Sequence, residues 1–160
     1  MTRKVLFLLL ATLVVNSAQG TVSNGDTVQS QVAMLVNKLK SNEIERVEII
    51  HMPLRILTRS RMTPQMLEKS FSYKLVIHDI RGSIYNSSLL AALTSASVKT
   101  NSEMGDVRWG ITFFDQGERP IGSLYVDGTG HRGAVDTTSV SYGRPEISDW
   151  LNTNFSKAFK

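Results

Sequence analysis

The chain has 160 residues, 41% of them hydrophobic, no cysteine, and 18 basic against 14 acidic side chains, for a net charge of +4. Without cysteine there is no disulfide framework and no thiolate metal site. A charge this mild gives no support for nucleic-acid binding.

Arg3 and Lys4 precede an 11-residue stretch, 5–15, that is apolar apart from Thr12. Small and polar residues follow, with Ala18 and Gly20 at the −3 and −1 positions of a cleavage after Gly20. This pattern predicts a secretory signal peptide over 1–20 and one globular domain over 21–160, although cleavage after Ser17 or Ala18 also fits. The apolar stretch is too short to span a bilayer, and no later segment is long and apolar enough to do so. Losing Arg3 and Lys4 reduces the net charge to about +2. A cysteine-free exported domain of about 140 residues suits a bacterial periplasm better than an animal extracellular space, with secretion as the alternative.

Asp26 reads as a helix N-cap, with Gln29 completing a capping box. Val28, Val32, Leu35, Val36 and Leu39 form one stripe of a helix over 27–40, and Lys38 and Lys40 complement its dipole. Residues 47–52 read as a strand that Pro53 ends or places at an edge. Thr63-Pro64 is a cap followed by proline at the first position of a short helix. Phe71, Tyr73, Leu75 and Ile77 alternate with more polar neighbours as a half-buried strand. Residues 86–96 suit a helix with Leu89, Leu90 and Leu93 inward. Strands at 107–113, 121–127 and 133–140, separated by glycine-containing turns, form an antiparallel meander. Pro145 starts a last helix with Ile147, Trp150, Leu151, Phe155 and Ala158 as its stripe, and Lys157 and Lys160 close it. The order predicts an α+β fold: an antiparallel sheet of four or five strands with helices packed mainly on one face.

Gly128, Gly130 and Gly133 match the spacing of a dinucleotide-binding loop, but a strand-like run follows them where that loop needs a helix N-terminus. They read as a hairpin turn. His51, His78 and His131 lie too far apart in sequence for a local zinc motif. His78-Asp79 are strand neighbours and point to opposite faces. No serine sits in a nucleophile elbow. Trp109 and Trp150 fall on inward stripes and suit core packing. The residues therefore predict a protein with no catalytic site, metal or cofactor. Arg55, Arg59 and Arg61, dense within 53–61, are suited to forked contacts with an acidic partner or with anionic groups of the cell envelope. Asp115 and Arg119, and Asp127, His131 and Arg132, carry polar groups on short hairpin turns that lose little entropy on binding. These eight residues are the candidate interface.

The segments WGITFFD at 109–115, IGSLYVD at 121–127, GHRGAV at 130–135 and the Trp150-Leu151 pair share a strand–turn–strand–turn–strand–helix cadence. This C-terminal third resembles small periplasmic immunity proteins of Gram-negative bacteria, which neutralise toxins attacking the cell wall or membrane. The resemblance implies a non-catalytic inhibitor whose partner is a toxin or envelope enzyme. Two other readings stay open: a small envelope hydrolase or metal-dependent enzyme built around His51, His78 or His131, and a carrier for a small ligand in the helix–sheet crevice.

Overall fold

The computed structural model describes residues 24–159; the expected signal segment and Lys160 lie outside them. Helix α1 (Asn24–Lys40) leads into strand β1 (Arg46–His51), helix α2 (Pro64–Ser70) and strand β2 (Tyr73–Ile77). Helix α3 (Asn86–Ser95) and strand β3 (Val98–Thr100) follow. Strands β4 (Val107–Phe114), β5 (Pro120–Asp127), β6 (Arg132–Val135) and β7 (Thr138–Tyr142) then run up to helix α4 (Glu146–Phe155). The described strands form one antiparallel seven-stranded sheet in the order β2-β1-β4-β5-β6-β7-β3.

The fold is α+β, as the sequence predicts, but seven strands replace the expected four or five. The two additional strands have separate causes. Asp136 adopts a left-handed backbone (φ 51°), and Val135 pairs with Thr138 across a two-residue link, so the expected 133–140 strand is a hairpin. Asp136 fixes that turn onto β5: Ser123 N donates to its Oδ1 at 2.8 Å, and its own N donates to Ser123 O at 2.8 Å. The other addition, β3, is three residues long with only Val98 buried, too short for an alternating pattern to register. Gln29 holds it in place, accepting from Val98 N at 2.8 Å and donating to Ala96 O at 3.4 Å. Gln29 therefore ties α1 to the sheet instead of closing a capping box, and Asp26 lies inside the helix, which begins at Asn24.

Two cores lie on the two sheet faces. Val47, Ile49, Ile111, Phe113, Leu124 and Val126 point to one face. There they meet the α1 stripe of Val28, Val32, Leu35, Val36 and Leu39, together with Leu89 and Leu93 of α3 and Ile147, Trp150, Leu151 and Phe155 of α4. Each such side chain stabilises the fold by about 1.5–3 kcal/mol when fully buried. The opposite face holds a smaller core of Met52, Met62, Leu67, Val107, Tyr125 and Ala134 under α2. Thr63 caps α2 by accepting from Met66 N at 3.3 Å, with Pro64 in its first turn, as expected. The Tyr125 hydroxyl donates to Glu68 and fixes α2 to the sheet. Trp109 and Trp150 are both buried. Two boundaries move. Phe71 follows the end of α2, outside β2, and is exposed; Ala158 lies beyond α4 and is exposed, while Phe159 turns back and is buried. Among the described residues no helix is long and apolar enough to cross a membrane.

Candidate functional site

The loop between β1 and α2, residues 53–62, is fastened at its base and open at its tip. Arg108 of β4 is only 5% exposed, and a buried guanidinium needs a counter-charge. It finds Asp106, to which Nε donates at 3.0 Å and Nη2 at 2.5 Å. Nη1 donates to Ile56 O at 3.0 Å, and Asp106 Oδ1 accepts from Met62 N at 2.7 Å. One ion pair thus grips the middle and the end of the loop. Backbone bonds from Met52 N to Arg108 O and from Val107 N to Met62 O close the base. At the tip Leu57 is 92% and Leu54 61% exposed. Arg55, Arg59 and Arg61 are exposed, and none has an ion pair or hydrogen bond among the described residues.

Beside this loop a cleft of about 280 Å³ opens between the ends of β1 and β4 and the last turn of α4. His51 forms part of its floor. Its ring stacks on Trp109 at 3.7 Å between centroids, with Phe159 at 5.7 Å. Its Nδ1 lies 3.0 Å from Arg108 O, a carbonyl that can only accept, so Nδ1 carries the proton. Burial, reinforced by the nearby Arg108 charge, lowers the imidazole pKa below its ordinary value against the opposing pull of that hydrogen bond. The ring is therefore neutral at pH 7, with Nε2 left as an acceptor that has no partner among the described residues. No serine or carboxylate side chain is hydrogen-bonded to it there. Leu54 closes one side by packing on Gly128, where a Cβ would meet it at 2.6 Å. Arg55 stands at the rim, with Asn152 of α4 and Ser156 just beyond that helix also lining the cleft.

The eight candidate interface residues fall into two groups. β1 ends at His51, paired with Trp109, and β5 ends at Asp127, paired with Val107. The 53–62 loop and the 127–132 turn therefore share one end of the sheet. Arg61, Asp127 and Arg132 line a second depression there, together with Asp106. Asp115 and Arg119 sit at the opposite end of β4 and β5. They bind each other, with Arg119 Nε donating to Asp115 Oδ2 at 2.9 Å. Asp115 Oδ1 also accepts from Arg119 N and Gly117 N, and these bonds hold its pKa below the ordinary carboxylate value. Asp127 is likewise engaged: its Oδ1 accepts from Thr129 N, Thr129 Oγ1 and His131 N at 2.8–3.2 Å. Arg132 Nη1 donates to Glu103 at 3.1 Å, and the His131 side chain is exposed.

The glycine-spaced motif is the β5–β6 turn, as expected. Gly130 adopts φ +78° and faces Ser148, where a Cβ would approach to 2.6 Å, and β6 follows it instead of a helix. His78 and His131 are both exposed. No group of three or more His, Asp or Glu side chains with metal-binding geometry occurs among the described residues. The Asp106–Arg108 pair and the place of Phe159 were not foreseen from the sequence, where His51 reads as an ordinary boundary histidine. The available signal was the Asp106-Val107-Arg108 spacing, which puts opposite charges on one side of an extended segment beside an apolar run. Comparison of the chain with protein-family models, with curated proteins and with solved structures finds no match.

Proposed function

We propose that the chain is an exported, non-catalytic protein that acts by binding another protein. Its most concrete role is that of a periplasmic immunity protein occluding a toxin or an envelope enzyme. The 53–61 segment carries this reading, because an exposed apolar tip, beside three arginines with no ion pair among the described residues, stands on a base held by the buried Arg108 and its Asp106 partner. A loop already held in shape loses little entropy on docking. Its arginines suit a partner with surface carboxylates, which also speeds encounter at low ionic strength. Arg132 and His131 extend the same end of the molecule, whereas Asp115 and Arg119 lie away from it. The test is deletion of the gene in a strain that then competes against its toxin-bearing parent, with complementation by wild type and by Leu57→Asp. Loss of fitness that wild type restores and Leu57→Asp does not supports the reading. Equal competition by the deletion strain sinks it.

A further inference from the structure

We infer that the cleft between His51 and the end of α4 binds the free carboxylate end of an N-acylated apolar amino acid, as found at the terminus of a polypeptide. Three features of the cleft select that chemistry. Among the described residues no aspartate or glutamate lines it and Arg55, at its rim, has no ion pair, so an anionic ligand meets none of their carboxylates there. His51, which lines the cleft, keeps an Nε2 that can only accept while Nδ1 serves the Arg108 carbonyl, and so suits a ligand that also brings a donor. An acylated amino acid has both groups within one residue: the carboxylate for Arg55 and the amide N–H for His51. Leu54, Trp109 and Phe159 supply an apolar wall for the side chain, and the Ser156 hydroxyl a further donor. At about 280 Å³ the space suits one residue and not an extended peptide.

The cleft shares Leu54 and Arg55 with the 53–61 loop but not Leu57, so the two bindings are separable at Leu57. The purified protein is titrated with N-acetyl-phenylalanine, N-acetyl-phenylalaninamide and 3-phenylpropionate, and the NMR signals of the His51 ring and the Trp109 indole are followed. The acid should give saturable shifts at both residues. The amide, which lacks the charge, should bind at least about tenfold more weakly. Phenylpropionate, which lacks the N–H, should fall between them. Arg55→Ala, a change at an exposed side chain, should remove the preference for the acid without altering the folded spectrum, and Leu57→Asp should leave the binding intact. Equal binding of acid and amide, an unchanged preference in Arg55→Ala, or no saturable shift at His51 and Trp109 would each overturn the assignment.

Discussion

Two segments at the same end of the sheet use their polar groups in opposite ways. The 127–132 turn directs them inward: one oxygen of Asp127 accepts from Thr129 N, Thr129 Oγ1 and His131 N, and Gly130 makes the bend that only glycine accommodates easily beside Ser148. The 53–62 loop is held from below by Arg108 and Asp106, and its own three arginines and Leu57 bond to nothing described. Both segments are charged and short. The first leaves only the His131 ring over for a partner and the second leaves three arginines and Leu57, so charge on a loop is a poor guide until its hydrogen bonds have been traced.

Trp109→Ala removes the buried ring on which His51 stacks and should cost about 3–5 kcal/mol in denaturant unfolding, weakening the floor beneath the loop. Asp106→Ala leaves the Arg108 guanidinium buried without its counter-charge and frees Met62 N. A loss of about 3 kcal/mol is expected, together with faster tryptic cleavage after Arg55, Arg59 or Arg61. Asp127→Ala strips the other segment of its organising acceptor and should cost about 1–3 kcal/mol, without added cleavage in the 53–62 loop.

The acid limb of stability sharpens the contrast from beneath. Burial sets the folded pKa of His51 below its ordinary value of 6.5, so the unfolded chain binds that proton more readily. This contribution is fully present above about pH 6.5 and is lost as pH falls below that value toward the folded pKa. His51→Gln should flatten the corresponding part of a stability–pH profile. The smallest expected effect on stability is that of Leu57→Asp, within about 0.5 kcal/mol of wild type, because that side chain is already in water.

Much of the fold was legible because it rests on periodicity. The α1 stripe, the Thr63-Pro64 start of α2 and the alternation through Trp109, Ile111 and Phe113 each mark a buried face directly. β3 and the 135–138 turn were not legible, since one depends on a glutamine of a distant helix and the other on a non-glycine residue at positive φ. At the site, the arginine density of 53–61 was visible, but its support was not. Arg108 reads as an ordinary polar-face residue until folding brings Ile56 O and Met62 to the same corner. Asp115 and Asp127 look available in a sequence because most of their partners are backbone N–H groups, which every turn possesses.

In the proposed function the 53–61 tip, and not the far hairpin, meets the partner. Site-specific photo-crosslinking in the producing cell tests it most directly, with a benzophenone side chain placed at Leu57 and, separately, at the exposed Gln116. One discrete protein adduct is expected from position 57, lost when Arg55, Arg59 and Arg61 are changed to glutamate, and none from position 116. Adducts of equal yield from both positions, or none from position 57, would contradict it.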